Sequence, residues 1–445
     1  MESCYINRKI DKELLLWTKE SNRKPLLLRG ARQVGKSSAV RHLSKRFEYF
    51  LEINFELDKK ARDLFAENDL SPEILCQELA AIYDTPIIPG KTLLFLDEIQ
   101  SSLPAISSLR FFYENYGELH VIAAGSLLEF ALRELPSFGV GRIRSMFMYP
   151  MDFSEFLSAC KRDLLLKAIR NANCKNPLSE PLHKKVIEYL RKFLVLGGMP
   201  EVVATFVNKN DLLQCRRILD DLVISLRLDF AKYKEKVPSL QISAVFDSVV
   251  IQMGKKFVYS NVSDNYTHKQ LKEGLELLKM SGLVIPVVHS SANGLPLGAQ
   301  IDVKKQKMLL LDTGIFQRLL GLPLADLLIN GDFSLINKGN MAELFAGLEL
   351  LKSGSCYEQK SLYYWHRESK NSNAEVDFVV QIGQNIIPIE VKSSAKGAMQ
   401  SMRVFLEEKQ SPFGIRSSLE NFAELPNIKI IPIYAVGIKQ NPDFF

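Results

Sequence analysis

The chain is poor in the residues that knit metal-bound or disulfide-stapled proteins. Its six cysteines are Cys4, Cys76, Cys160, Cys174, Cys215 and Cys356. None forms a C-x-x-C and no pair has zinc-site spacing, so scattered reduced thiols of a cytosolic protein are expected. The six histidines are equally dispersed, with no H-E-x-x-H, which argues against a histidine-ligated metal. Long apolar runs are also missing. Stretches such as Lys307–Asp312 and Ile386–Val391 fall far short of the ~20 residues a membrane span needs. Charges run through Met1 to Glu20, where a secretory leader would carry an apolar stretch. The expectation is a soluble, cytoplasmic protein with no membrane partner. No internal repeat or low-complexity tract is visible.

What is present suits a folded chain of several domains. The 445 residues are 47% hydrophobic and 24% charged, which excludes a mainly disordered chain, a collagen and a coiled-coil rod. At roughly 150 residues per domain, about three domains are expected. A net charge of +6 and a pI near 8.8 permit a nucleic-acid partner without demanding one. The basic residues are spread along the chain, so any DNA surface must be assembled by folding.

Periodicity divides the chain. Leu26–Leu28, Phe50–Asn54, Leu93–Leu96 and His120–Ala124 read as short strands buried on both faces, as in a parallel sheet covered by helices. Ser37–Phe47 and Ser71–Tyr83 read as helices between them, so residues 1–153 are α/β. Residues 154–236 carry helical spacing only, as in Pro181–Leu196 and Asp211–Asp229, broken at Gly197-Gly198-Met199-Pro200. Residues 237–325 give helices over Leu240–Met253 and Thr267–Met280, with Thr267 as cap, then strands over Leu283–His289 and Gln300–Leu311. Helices followed by two strands suggest a winged helix. Pro323–Gly339 reads as a linker. In residues 326–445 a helix (Asn340–Lys352), a strand near Leu362–His366, a hairpin (Ala374–Ile382, Gly383-Gln384-Asn385, Ile386–Ser393), a helix (Ala398–Lys409) and a strand (Ile428–Ala435) follow.

Gly30-Ala31-Arg32-Gln33-Val34-Gly35-Lys36-Ser37, followed by Ser38, fits G-x-x-x-x-G-K-[ST] between a strand and a helix. The glycines let the backbone wrap close to phosphate, and the helix N-terminus faces the negative oxygens. Lys36 would reach the terminal phosphates, and Ser37 would place a hydroxyl on Mg²⁺. Thr92–Gln100 is an apolar strand ending in Asp97 and Glu98. Asp97 would hold Mg²⁺ through water, and Glu98 would orient or deprotonate the attacking water. Ser126 follows a third strand and could touch the γ-phosphate or that water.

With R-G-A-R-Q-V-G-K-S, F-L-D-E-I-Q, A-A-G-S-L-L-E-F and G-R-I-R-S-M-F-M-Y-P-M-D-F-S-E-F in place, the chain resembles an AAA+ ATPase. It is similar to the prokaryotic subgroup with a C-terminal domain of restriction-nuclease type (PD-(D/E)xK, DUF4143-type). Gly198-Met199-Pro200-Glu201, Leu311-Asp312-Thr313-Gly314 and Glu375-Val376-Asp377-Phe378 extend the match over nearly the whole chain. The resemblance implies ATP and Mg²⁺ as cofactors, a P-loop core with a helical lid, and possible homo-oligomers. It places Arg142 where an arginine finger often stands. Arg144 is a rival, and a surface salt bridge is the alternative for Arg142.

Two motifs point elsewhere. Asn208–Asp211 fits N-K-x-D, the guanine-reading motif, but lies in helical surroundings without a D-x-x-G. Asp312-Thr313-Gly314 imitates an aspartic-protease elbow without a second copy and reads as a turn after a strand.

Glu375 and Asp377 are two apart on one strand, and Glu390 and Lys392 on the next, so each pair shares a face. A hairpin brings them together as D…E-x-K. Two carboxylates can hold Mg²⁺ and a lysine can activate water, with Glu343 as a further ligand. The alternatives are a solvated face, or a nuclease fold that no longer cuts. Lys269, Lys272 and Lys279 on a helix, with Lys304, Lys305 and Lys307 on the following strand, suit a DNA-reading surface, a solvated helix or a protein contact. The expected function is an ATP-hydrolysing switch coupled to a DNA-directed nuclease-like domain. The alternative is a regulatory interaction protein with an inactive nuclease fold.

Overall fold

A computed structural model describes residues 5–67, 71–134, 141–233, 237–322, 338–367, 373–392 and 399–438. The expected linker lies, up to residue 337, outside these residues, as do Cys4, Ser393 and Ala398. The chain forms two compact units. One holds Met1–Pro150 with Met280–Gly282 and Ser355–Gln359; the other holds Met151–Lys279, Leu283–Gly354 and Lys360–Phe445. Among the described residues no helix is long and apolar enough to cross a membrane.

The first unit is built on five parallel strands: β1 (Leu26–Arg29), β2 (Tyr49–Asn54), β3 (Thr92–Asp97), β4 (His120–Ala124) and β5 (Arg144–Phe147). Their order is β2-β3-β4-β1-β5. β3 and β4 are buried at every position, which is why their sequences are continuous apolar runs. β5 buries only Met146, so its sequence carries almost no strand signal. Helices α1 (Lys9–Trp17), α2 (Lys36–Ser44), α3 (Lys59–Glu67), α4 (Pro72–Tyr83), α5 (Leu103–Asn115) and α6 (Leu128–Glu134) connect or flank the strands. Leu51, Ile53, Phe65, Leu79, Leu94, Leu96 and Phe112 belong to one apolar core. The order sets β4 between the strand that feeds the phosphate loop and the strand that ends in Asp97. Residues just past β1, β3 and β4 therefore meet at one edge of the sheet.

The second unit begins with α7 (Phe153–Ala159), α8 (Asp163–Asn171), α9 (Glu180–Leu196), α10 (Pro200–Lys209) and α11 (Leu212–Asp229). The expected break at Gly197 to Pro200 separates α9 from α10. Next come α12 (Ser239–Ile251), α13 (His268–Met280), β6 (Val284–Ser290), β7 (Ile301–Leu310), α14 (Thr313–Leu319) and α15 (Lys338–Lys352). Thr267 caps α13 together with Gln270, whose Oε1 accepts from the Thr267 N–H and hydroxyl. β8 (Leu362–His366), β9 (Glu375–Ile382), β10 (Asn385–Val391), α16 (Gln400–Lys409), β11 (Gly414–Ser418), β12 (Ala423–Leu425) and β13 (Ile428–Pro432) complete the unit. Phe153, Phe156, Phe193 and Phe345 pack ring on ring and tie α7, α9 and α15 together. Each such fully buried ring contributes roughly 2–3 kcal/mol.

The hairpin expected as the wing of a winged helix is part of a larger sheet. β6 pairs antiparallel with β7 and parallel with β8, in the order β12-β13-β11-β10-β9-β8-β6-β7. The expected boundary near residue 325 therefore separates strands of one eight-stranded sheet. Sequence spacing does not report pairing across that distance.

Candidate functional site

The phosphate loop lies between β1 and α2. Gly30 has φ +147, and a Cβ there would stand 2.1 Å from the carbonyl oxygen of Met148, so only glycine fits. Gly35 has φ 97 and directly precedes α2. Gln33 holds φ 61, a conformation uncommon for a residue with a Cβ. Ala31 and Val34 are buried, whereas Gln33 and Ser38 are exposed. The Lys36 Nζ donates to the carbonyl oxygens of Gly30 (2.9 Å) and Ala31 (2.8 Å). Burial pushes its pKa down to about 8, against the pull of Glu98 and Asp97.

The acids stand beside the loop. The Ser37 hydroxyl donates to Asp97 Oδ2 at 2.9 Å. Burial raises the Asp97 carboxyl above its usual range, partly offset by the Ser37 bond. Glu98 sits in left-handed backbone (φ 49, ψ 42), a strained state of the kind that clusters at functional sites. Its Oε2 accepts from Gln100 Nε2 (2.5 Å) and from the Ser126 hydroxyl (3.2 Å). Arg32 Nε in turn donates to Ser126 Oγ at 3.3 Å. Gly30–Ser37, Asp97, Glu98 and Ser126 thus meet at one end of the sheet. A hydroxyl and a carboxylate 2.9 Å apart, beside a loop with a buried lysine, suit a phosphate with one hard divalent cation.

Arg142 is elsewhere. It is half-exposed and paired with Glu114, near the C-terminal end of α5. It precedes β5, which starts opposite Leu26 at the beginning of β1, so it lies at the sheet edge away from the loop. Arg144 pairs with Glu20 and lies over the Tyr357 ring, 5.7 Å from its centroid.

The second unit brings the C-terminal carboxylates together, but around a lysine. Lys307 of β7 is 1% exposed. Its Nζ lies 3.0 Å from Glu343, 2.5 Å from Glu375 and 3.7 Å from Asp377. Burial works against its charge, but the three carboxylates outweigh it and hold the pKa above the usual lysine value. Burial pushes Glu343 up to about 7, opposed by Lys307. Asp377 is also raised by burial, opposed by Lys307 and by the Val391 N–H that donates to its Oδ2 at 2.8 Å. Glu390 is 5% exposed and paired with Lys392 Nζ at 2.5 Å. Burial raises its pKa as well. Its Oε2 has no hydrogen-bond partner. Among the described residues no group of three or more Asp, Glu, His or Cys is arranged to hold a metal. One oxygen each of Glu343 and Glu390 is paired with a lysine ammonium, and Asp377 Oδ1 lies 3.7 Å from Lys307, so ammonium groups stand among the carboxylates expected to hold a metal.

Lys307 was expected on a DNA-facing strand, and the structure buries it instead. Lys279 bonds Glu276 (2.9 Å) and Gln306 (2.7 Å), and Lys305 pairs with Asp302 (3.4 Å). Lys269, Lys272 and Lys304 are exposed. The N-K-x-D motif spans a helix junction: Asn208 and Lys209 end α10, Asn210 is its left-handed cap, and Asp211 caps α11 by accepting from Gln214 N at 2.9 Å. Asp312 is likewise a cap rather than a plain turn, accepting from Ile315 N (3.0 Å) and Gly198 N (2.6 Å).

Three contributors were not read from the sequence. Arg8 donates to the carbonyl oxygens of Val34 (3.0 Å) and Tyr149 (2.8 Å), fixing the loop from far away in the chain. No local pattern announces it. Gln100 lies inside the F-L-D-E-I-Q run and was legible by its spacing from Glu98. Lys307 as a carboxylate partner was hidden because Glu343, Glu375 and Asp377 lie on α15 and β9, far along the chain from β7.

Residues 22–157 match the family described as AAA domain. Residues 187–326 and 338–436 match two domains of unknown function, DUF8612 and DUF4143. The chain thus carries a P-loop ATPase domain of the AAA type. Among solved structures, the Walker-type ATPase PABY2304 of Pyrococcus abyssi is 16% identical, with 72% of this chain and 97% of that chain covered and a TM-score of 0.47. Cdc6p of Pyrobaculum aerophilum is 11% identical, with 74% and 97% covered and a TM-score of 0.27. The Aeropyrum pernix ORC1 protein in complex with DNA is 14% identical, with 74% and 92% covered and a TM-score of 0.28. No curated protein matches the chain.

Proposed function

We propose that the protein is an ATP-hydrolysing switch that uses Mg²⁺. The supporting observation is the Ser37–Asp97 contact at 2.9 Å, set beside Lys36 and the strained Glu98. ATP is the nucleotide, since the N-K-x-D motif that would read guanine is taken up by the end of α10 and the cap of α11. Mg²⁺, when bound, supplies charge neutralisation between the phosphates and would be held by Ser37 and, through water, Asp97. Lys36 leaves its two loop carbonyls and turns to the terminal phosphates. Glu98, positioned by Gln100 and Ser126, accepts a proton from the attacking water. Lys36→Ala is expected to abolish ATP binding. Glu98→Gln should retain binding and slow hydrolysis by ~10²-fold, since general-base contributions are of that order. Equal loss of binding in both variants, measured with a fluorescent ATP analogue, would remove these roles.

In this reading ATP state controls engagement of DNA by the second unit, through Lys269, Lys272 and Lys304. DNA affinity should therefore differ between ATP-bound and ATP-free protein and weaken steeply with salt. For what the second unit does there, binding without cutting is favoured over cleavage. The specific reason is that the carboxylates required for a metal are already paired with lysines. A nuclease assay with Mg²⁺ or Mn²⁺ across DNA structures decides: cleavage lost in Asp377→Ala would restore the cutting form.

A further inference from the structure

We propose that Lys307 is the resident cation of the second unit, and that the pocket it fills is a latent divalent-metal site. The inference deepens the non-cutting reading and gives its cause.

The geometry is that of a cation site with an ammonium at its centre. Carboxylates from two elements converge on one nitrogen: Glu343 from α15, and Glu375 and Asp377 from β9. Their oxygens lie 2.5 to 3.7 Å from Lys307 Nζ. A divalent ion held by the same oxygens at about 2.0–2.6 Å would have to stand where the nitrogen stands. The two cannot coexist, since ammonium and metal would repel across a few ångströms in a shielded site.

The charge count leaves room for more than lysine gives. Three carboxylates face one positive charge from Lys307. Lys392 is drawn off by Glu390, whose other oxygen is buried without a partner. The lysine itself is well held. Its nitrogen also lies 5.3 Å from the centre of the Tyr364 ring, a cation–π contact. Gly254 packs close to Glu343, where an added Cβ would stand 2.8 Å from Asn340 Oδ1 and 3.0 Å from Glu343 Oε2. Glu375 is about a third exposed, which leaves a path from solvent. Removing the ammonium leaves Glu343, Glu375 and Asp377 with only the more distant pull of Lys392 on Asp377, so they either protonate or draw in a cation.

The test uses the nucleotide-free full chain and Mn²⁺, whose free-ion EPR signal disappears on binding. Wild type is expected to show no Mn²⁺ binding that depends on Asp377. Lys307→Ala should gain one site, with affinity higher by about tenfold or more, the scale set by removing a like charge from beside a divalent ion. Lys307→Ala with Asp377→Asn should lose that site, and Lys307→Arg, which keeps a cation, should never gain it. If Lys307→Ala is unstable, Mn²⁺ should raise its melting temperature. The proposal is overturned if wild type binds Mn²⁺ and Asp377→Asn abolishes it. It is also overturned if Lys307→Ala neither binds nor is stabilised by Mn²⁺. A DNA-cleavage assay on the same samples separates the two readings. Wild type that cuts without Mn²⁺ at Asp377 sinks only the non-cutting reading, and Mn²⁺ at Asp377 without cutting sinks only this one.

Discussion

Lys36 and Lys307 are both buried, and their surroundings push them in opposite directions. Lys307 meets three carboxylates at close range, so its charge is fixed at any ordinary pH. Among the described residues Lys36 has only backbone carbonyls in hydrogen-bond contact, and burial holds its pKa down at about 8. That difference is testable at the phosphate loop. With its pKa pushed down to about 8, Lys36 holds its proton less firmly at pH 8.5 than at pH 6.5 in the free protein. Phosphate oxygens restore the charged form, because opposite charge nearby favours it. ATP binding should therefore take up more of a proton at pH 8.5 than near pH 6.5. Calorimetric titration in buffers of different ionisation enthalpy reads the uptake directly. Uptake that is the same at both pH values would show that Lys36 is not the titrating group. Lys36→Arg, which stays charged throughout, should abolish the difference.

The same contrast between buried and exposed groups governs the helix ends. Asp211 and Asp312 both cap helices through a first-turn N–H. Asp211 is exposed, whereas Asp312 is 1% exposed and also accepts from Gly198 N, tying α14 to the loop between α9 and α10. Asp211→Ala should cost at most ~1 kcal/mol, the value of an ordinary cap. Asp312→Ala should cost roughly 2–4 kcal/mol, since it also leaves a buried N–H without an acceptor. Urea unfolding followed by circular dichroism measures both, and equal losses would contradict the tie to Gly198. Elements of this kind mark how far the sequence could be read. β1, β3 and β4 were legible because both faces of each strand are largely apolar, β2 because Leu51 and Ile53 alternate with outward residues, and the phosphate loop because its spacing is enforced by phosphate geometry. β5 was not, because an edge strand with one buried residue carries no periodicity. The shared sheet was hidden for another reason: β6 and β8 pair across more than seventy residues, and alternation along one strand is silent about its neighbour. Glu375, Asp377, Glu390 and Lys392 could be placed on shared faces by spacing alone. Their partner Lys307 could not, so a site expected to hold metal holds an ammonium.

For the molecule as a whole, the position of Arg142 decides whether one copy suffices. The phosphate loop follows the end of β1, and Arg142 precedes the start of the parallel strand β5. They lie at opposite ends of two neighbouring parallel strands, so Arg142 stands away from the nucleotide site of its own chain. If it stabilises the transition state, it does so at the site of a neighbouring copy. An arginine supplied in this way speeds phosphoryl transfer by ~10³-fold or more, so Arg142→Ala should bind ATP and hydrolyse it at that much lower rate. Mixing Arg142→Ala with Lys36→Ala then restores activity, because some interfaces pair an intact loop with an intact arginine. With random assembly of equal amounts, half the loops and half the arginines are intact, so about one quarter of wild-type activity should return in any closed oligomer. Glu114→Ala is the control. It removes the ion pair seen at Arg142 but leaves the arginine, and should keep the ATPase rate. Loss in Glu114→Ala as large as in Arg142→Ala would instead make the arginine a surface tie between α5 and β5. Hydrolysis by a strictly monomeric wild type, established by light scattering at assay concentration, would exclude a neighbour altogether.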